Sequence, residues 1–477
     1  MKNKAITSRD IDFAKWYTDI VKAAKLAEYS SVKGCVVLEP NGYAIWEKMQ
    51  EVLDKKFKEL GHTNVYMPLL IPENLMKKES ELIEGFAPEV AWVTHGGSKL
   101  LEEKLCVRPT SETLFSDYYS KVVSSYRDLP MLYNQWCSVF RWEKETRPFL
   151  RSREFLWQEG HTIHASQLDA EEETRRMLEV YKWFHHEYLA VPTIVGKKTE
   201  KEKFAGADYT LTNEALMYDG IALQVGTSHY FGQRFSKAYD ISFLNKSGEQ
   251  ENAYQTSWGT TTRMIGGLIM VHSDDNGLVL PPKIAPIQVV IIPIFKGEEE
   301  LKLMLEKCNA IKQELINRNI TVKIDDRDNL RSGFKFAEHE LKGVPVRLAI
   351  GPRDMQNGTI EVARRDTLSK QIMPQEDIAN YIENLLVDIQ ENIYQKALKF
   401  RTENTFEVDT YDEFKVQIEK GGFILAHWDG TAETEALIKD ETKATIRCIP
   451  LNGNMESGKC MVTGKPSKQR VVFAKAY

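Results

Sequence analysis

The sequence predicts a mixed α/β (α+β) chain assembled from more than one domain. Three observations carry this. The chain has 477 residues, too many for one hydrophobic core. Residues 138–163 alternate in polarity with period two, the mark of strands. Residues 287–364 alternate strand-like and helix-like segments, the mark of a compact α/β unit.

Taken in order, residues 10–60 read as helical, because WYTDIVKAAKLAEYS and NGYAIWEKMQEVLDKKFKEL both place apolar residues at helical spacing. VYMPLLIP at 65–72 reads as a strand. Residues 130–165 are strand-rich, and a helix is predicted over Asp169–Tyr188. Asp169 is its expected cap, with carboxylates in the first turn. Strand-like, Gly-containing segments follow at Ala222–Phe231 and Ala253–Met270. A break is expected near residue 281, where Pro-rich LPPKIAP precedes the apolar IQVVIIPIF. Helices are predicted over Glu298–Asn317 and Gly333–Lys342, between strands ITVKIDD, VPVRLAIG and TIEVARR. A smaller unit closes the chain from about residue 400.

Composition sets limits on function. Hydrophobic content is 42% and charged content 28%, ordinary values for a folded globular protein. No apolar run reaches the roughly 18 residues of a membrane span. The N-terminal segment lacks the apolar core of a signal peptide. The six cysteines, Cys35, Cys106, Cys137, Cys308, Cys448 and Cys460, form no CxxC pair. A reduced, cytoplasmic setting is therefore expected, without a membrane. Net charge is -6, which weighs mildly against nucleic-acid binding but leaves room for a local basic patch.

The richest stretch is SVFRWEKETRPFLRSREFLWQEGHTIHA at 138–165. Val139, Arg141 and Glu143 share one face of a first strand. Phe155, Trp157, Glu159 and His161 share one face of a second. The segment between them holds Lys144, Arg147 and Arg151. This predicts two antiparallel strands joined by a long basic loop. A sheet face mixing Arg, two carboxylates, Trp and His suits neither a plain core nor a solvated surface. With a cationic loop above it, the face suits a phosphate-bearing ligand.

FRWE, a loop, then REFLWQEGHT resembles motif 2 of class II aminoacyl-tRNA synthetases, and in detail the prolyl-tRNA synthetases of archaeal and eukaryotic type. GHTNVYMPLLIP, with Pro68, resembles motif 1, and SWGTTTRMIGGLIMVHSDDNGLVLPPKIAP resembles motif 3. LCVRPTSET resembles the family's proline-recognition loop. The resemblance implies a class II antiparallel-sheet catalytic domain at 1–283, an α/β anticodon-binding domain at 284–398 and a small α+β C-terminal domain at 399–477. It implies activation of L-proline by ATP with Mg²⁺, then transfer to tRNA(Pro), by a homodimer. About one hundred residues separate motifs 2 and 3, so the large editing insertion of bacterial-type relatives is expected to be absent.

Activation brings together two anions, so positioning and positive charge are what the site must supply. By resemblance, Arg141 bridges the proline carboxylate and the α-phosphate, and Arg263 holds the far phosphates. Glu143, Arg151, Ser152, Gln224, Thr227 and Thr261 are implied ATP contacts, with Gln224 near Mg²⁺. Glu112 and Thr110 are implied to meet the proline ammonium. Trp157, Glu159, His161, His229 and Ser257 are implied to complete that pocket, and Trp258 is expected to serve packing.

Glu340 and Arg347 are implied anticodon readers, set against the simpler reading of surface ion pairs. At the positions of the family's four zinc-binding cysteines stand Asp429, Thr434, Cys460 and Thr463. One thiol cannot make a structural zinc site, so no zinc is expected. The final Tyr477 docks near the catalytic domain or frays. Two alternatives stand beside the ligase reading. A non-catalytic paralogue is disfavoured because Arg141, Glu143, Gln224 and Arg263 are present. A histidine, threonine or glycine synthetase is disfavoured by RPTSE and FLWQEGHT.

Overall fold

The computed structural model describes residues 6–82, 90–453 and 455–477. Its centre is an eleven-stranded sheet. From one edge the order is Thr405–Glu407, Phe423–His427, Arg470–Ala474, Thr445–Pro450, Thr193–Lys197, Tyr209–Leu216, Ala222–Gly232, Tyr254–Thr261, Glu154–His164, Met131–Phe140 and Thr63–Asn64. The middle strands pair antiparallel. The expected strands at 138–163 form the end of a longer hairpin, in register from Met131↔Ile163 to Phe140↔Glu154.

One face of this sheet is covered by the helix Gln167–Glu187, whose Met177, Tyr181 and Phe184 are buried. Helices Phe13–Ala23, Pro40–Glu59 and Arg263–His272 complete the layer through Trp16, Trp46, Phe57 and Ile265. Trp258 lies at its heart, 1% exposed, with its ring centroid 5.1 Å from Phe57 and 5.0 Å from His62. Burial of such aromatic area dominates the stability of this layer.

Several local expectations change. Residues 10–60 are not continuously helical: Ala27–Tyr29 and Val36–Leu38 form a short antiparallel pair between the two helices. Of VYMPLLIP, only Leu70–Pro72 is strand. The helix expected from Asp169 starts at Gln167 and is capped by Ser166, whose hydroxyl accepts from the Asp169 amide. The Asp169 carboxylate is instead turned to His164 Nδ1, at 2.6 Å. The segment expected as strand over 253–270 divides into strand Tyr254–Thr261 and helix Arg263–His272.

The expected alternation after residue 287 is present. Parallel strands Val322–Ile324, Val289–Pro293 and Val346–Ile350 continue into antiparallel Thr359–Arg364 and Lys370–Pro374. Helices Glu298–Ile316, Ser332–Leu341 and Ile378–Glu403 accompany them. The last of these runs across position 398.

The final unit is stitched into the central sheet, where Ile449 and Pro450 pair with Lys197 and Gly196. A buried triad seals that joint. Lys198 Nζ lies 2.7 Å and Arg447 Nη2 2.9 Å from opposite oxygens of Glu214. Desolvation offsets much of the attraction in such a cluster, so it fixes register more than it adds stability. Among the described residues, no helix is long and apolar enough to cross a membrane.

Candidate active site

The hairpin strands and their neighbours floor an open cavity of about 320 Å³, ample for a small ligand. The alternation predicted from sequence places Phe155, Trp157, Glu159 and His161 along it. The residues implied above to contact proline or ATP line it as well, from Thr110 and Glu112 to Thr261 and Arg263.

One end is cationic. Arg141 follows directly on the first hairpin strand, and its amide donates to the Arg153 carbonyl at 2.7 Å, which closes the mouth of the loop. Its Nε donates to the Pro109 carbonyl at 3.0 Å. Its guanidinium faces the rings of Phe155 and Trp157 at 5.5 and 5.4 Å. Burial lowers its pKa from the usual arginine value, against the opposing pull of Glu112, Glu159 and Glu143.

Arg263 starts the helix after the strand Tyr254–Thr261, and its amide donates to Thr261 Oγ1 at 2.9 Å. Its Nε donates to the Leu150 carbonyl at 3.3 Å. Burial, then the charges of Arg141 and Arg151, pull its pKa down to about 10. Cations crowded at such cost await an anion. Arg151 is held by a tight loop, in which its amide donates to the Arg147 carbonyl at 3.0 Å and its carbonyl accepts from the Arg147 amide at 2.7 Å. Ser152, Glu143, Gln224 and Thr227 border the same end.

The other end is a polar pocket built on carboxylates. Thr110 Oγ1 donates to Glu112 Oε2, and Ser257 Oγ donates to Glu112 Oε1 at 3.3 Å. Glu159 Oε1 accepts from Ser111 Oγ and Gln135 Nε2, both at 2.5 Å. Its Oε2 lies 2.8 Å from His161 Nε2. Burial would raise the Glu159 pKa, but these partners outweigh it and hold the carboxyl below its usual range. His161 stacks on Phe115 at 4.2 Å. His229 Nδ1 lies 2.8 Å from Thr210 Oγ1. Burial, and then His161, lowers the His229 pKa to about 3, so the ring is neutral at pH 7. Trp157 Nε1 donates to Cys137 Sγ at 3.2 Å.

Sequence reasoning missed several contributors. Ser111 and Gln135 hold Glu159, and Gln135 could have been found, since it sits opposite Glu159 in the hairpin register. Glu202, Lys203, Phe204 and Thr210 also line the cavity. They come from KTEKEKFAGADYT, which carries no periodic signal.

Glu340 and Arg347 come together elsewhere, in a smaller hollow with Phe336, Arg364 and Lys370. Arg347 is no ordinary surface ion pair, being 8% exposed. It stacks 3.8 Å over Phe336 and donates Nη2 to Glu361 at 2.8 Å, while Nη1 has no hydrogen-bond partner.

In the last unit, two of the positions expected to correspond to zinc ligands, Thr434 and Thr463, converge on a third, Asp429. Its Oδ2 accepts from Thr434 Oγ1 at 3.0 Å and Thr463 Oγ1 at 2.9 Å, and its Oδ1 accepts from Thr431 Oγ1 at 2.9 Å. Cys460 is buried with a free thiol. Among the described residues, no group of three or more His, Cys, Asp or Glu side chains could hold a metal ion. The chain terminus is docked rather than frayed. The Tyr477 amide donates to the Ala222 carbonyl at 3.1 Å, and its hydroxyl bonds Asp219.

Residues 94–272 match the class II tRNA synthetase core domain (G, H, P, S and T), 288–385 an anticodon-binding domain, and 411–477 the C-terminal domain of prolyl-tRNA synthetase. The chain is 58% identical to a proline–tRNA ligase of Porphyromonas gingivalis, covering 99% of each protein. It is 56% identical to that of Parabacteroides distasonis, again over 99% of each, and 54% to that of Amoebophilus asiaticus over 100% of each. With motifs 2 and 3 and the RPTSE loop gathered in one cavity and such identity along its whole length, the chain belongs to the prolyl-tRNA synthetases of class II.

Proposed function

We infer that this chain activates L-proline with ATP and passes the prolyl group to tRNA(Pro). The observation that carries the reading is one cavity with Arg141, Arg151 and Arg263 at one end and Glu112 and Glu159 at the other. The first end fits a polyphosphate and the second a secondary ammonium on a small ring. A carboxylate oxygen of proline attacks the α-phosphorus, the bond to the β-phosphate oxygen breaks, and pyrophosphate leaves. A hydroxyl at the 3′ end of tRNA then attacks the prolyl carbonyl, and AMP leaves.

In this reading Arg141 spans both ends, touching the proline carboxylate and the α-phosphate. Arg263 takes the distal phosphates. Glu143, Arg151, Ser152, Thr227 and Thr261 hold the nucleotide. Thr110, Glu112, Ser257 and His229 surround the ammonium and ring, with Trp157, Glu159 and His161 as the pocket wall. Mg²⁺ bound with ATP would offset phosphate charge. The Gln224 side-chain oxygen is a suitable donor, on a strand position paired with Glu214. Pyrophosphate exchange with each of the twenty amino acids tests the assignment. Proline is expected to support it strongly, and exchange driven by another amino acid alone would sink the reading.

Anticodon recognition is assigned to Glu340 and Arg347, supported by the unpartnered Nη1 of a buried Arg347 beside Arg364 and Lys370. Unpaired bases are read by edge hydrogen bonds and stacking, which need no large basic patch. A homodimer is assigned through the motif 1 face, supported by exposed Tyr66, Leu69, Trp92 and Leu100. A division at 283/284 and 398/399 and a cytoplasmic setting complete the reading.

The C-terminal unit is assigned no zinc. Two of the four positions offer hydroxyls already donated to Asp429, and zinc prefers thiolate or imidazole. Elemental analysis of purified protein is expected to find zinc well below one equivalent, and stoichiometric zinc removed only by chelator would refute this.

A further inference from the structure

We propose that the C-terminal unit takes part in proline selection, through a strap from Glu435 to Thr199 that holds the segment 198–207 as a wall of the proline pocket. This rests on the reading that the Thr110–Glu112–His229 end of the cavity receives proline.

The segment 198–207 links the strands Thr193–Lys197 and Tyr209–Leu216. It brings Glu202, Lys203 and Phe204 to the cavity, and the Phe204 ring lies 4.7 Å from that of His229. Its far limb is held locally. Phe204 N donates to Thr210 Oγ1 at 3.0 Å, and Ala207 is fully buried. The near limb carries Lys198, Glu200, Lys201, Glu202 and Lys203, a sequence with no apolar residue to draw it inward.

Three ties to the C-terminal unit replace that missing driving force. Lys198 Nζ donates to the Arg447 carbonyl at 2.8 Å. Thr199 Oγ1 donates to Glu435 Oε1 at 2.8 Å. Lys439 Nζ lies 3.2 Å from Glu202 Oε1. The last is half-exposed and contributes little. The middle one is decisive, because Thr199 and Glu435 are 3% and 4% exposed.

A hydroxyl has one proton to give. Thr199 gives it to Glu435, while the same oxygen accepts from the Glu202 amide at 3.2 Å. The Thr199 carbonyl accepts from the Lys203 amide at 2.9 Å. One carboxylate, 236 positions downstream, thus fixes the turn that presents Glu202, Lys203 and Phe204 to the pocket. Burial raises the Glu435 pKa, and the Thr199 hydrogen bond opposes that rise. Glu435 and Thr199 are positioning residues, acting through the wall and not by contact with proline.

The test is tRNA-free pyrophosphate exchange by the full-length chain, with KM for proline and for ATP measured separately. Glu435→Ala and Thr199→Val are each expected to raise the proline KM about fivefold. The ATP KM and kcat are expected to stay within about twofold. Glu435→Gln, which keeps an acceptor for Thr199, is expected to restore the proline KM. Thr199→Val keeps the shape of the side chain, so it stands in should Glu435→Ala fail to fold. An unchanged proline KM in a folded Thr199→Val protein would overturn the strap. So would equal losses for proline and ATP shared by Glu435→Gln. A rise confined to the ATP KM would overturn instead the assignment of this end of the cavity to proline.

Discussion

Arg141→Ala is expected to lower kcat/KM for proline-dependent pyrophosphate exchange by about a thousandfold. The expectation rests on where the side chain is anchored. Nε is committed to the Pro109 carbonyl at 3.0 Å. Among the described residues, no hydrogen bond engages its two terminal nitrogens, and the guanidinium is walled by Phe155 and Trp157. A planar fork held by one edge aims its other donors into the cavity, between the carboxylates and Arg263. Charge that develops on the α-phosphate would meet it with no reorganisation.

The variant also strips Glu112 and Glu159 of their buried counter-charge, since the electrostatic link among these groups is mutual. The loss should therefore fall on the proline KM as well as on kcat. Arg141→Lys separates the two contributions. It restores a charge but not the fork, so it is expected to recover only about tenfold of the loss. Thermal unfolding of both variants checks that the site remains folded. A folded lysine variant with near-parental exchange would show that bidentate geometry is irrelevant, and with it the bridging role. A folded alanine variant with full exchange would remove Arg141 from the chemistry altogether.

Much of this site was legible because a strand imposes a period. Phe155, Trp157, Glu159 and His161 had to share a face once the segment was extended, and the strand Glu154–His164 is extended throughout. Gln135 is equally available by register, but an isolated glutamine has no chemistry until its partner is known. Asp169 misled because two cap-forming residues, Ser166 and Asp169, lie three apart, and the choice between them was made by His164. The break at residues 24–39 was hidden by a helical pattern of apolar residues that tertiary pairing overrode, with Lys25 in the left-handed region at φ 57°.

The joint between Lys197 and Ile449 and the ties from Arg447, Glu435 and Lys439 are contacts between segments far apart in sequence. Each was invisible because both partners are ordinary residues in their own neighbourhoods. The same reason hides the three threonines around Asp429. Two of them, Thr434 and Thr463, stand at cysteine positions of the family pattern, but nothing in sequence says that their hydroxyls point to one carboxylate.

The second large effect comes from a position without a side chain. Gly160 sits between Glu159 and His161 and faces away from the pocket, paired across the sheet with Trp258. A methyl group there would lie 2.1 Å from Trp258 Cζ2 and 2.2 Å from Cε2, far inside van der Waals contact. Neither partner can yield easily. The strand is hydrogen-bonded on both sides, and the indole is enclosed by Phe57, His62 and Tyr181. Gly160→Ala is therefore expected to destabilise the catalytic unit by about 3 kcal/mol. Any surviving folded protein must shift the strand, which displaces Glu159 and His161 together. Exchange should then fall by about a hundredfold, the usual consequence of an ångström-scale misplacement. Trp258→Phe removes the clashing ring atoms and alone should cost about 1–2 kcal/mol as a cavity. In the double variant the methyl group fills part of that cavity. The two substitutions should thus be strongly non-additive, with a favourable coupling of about 2 kcal/mol by chemical denaturation and a recovery of exchange. Simple additivity would mean that the strand, not the indole, limits the space behind the pocket.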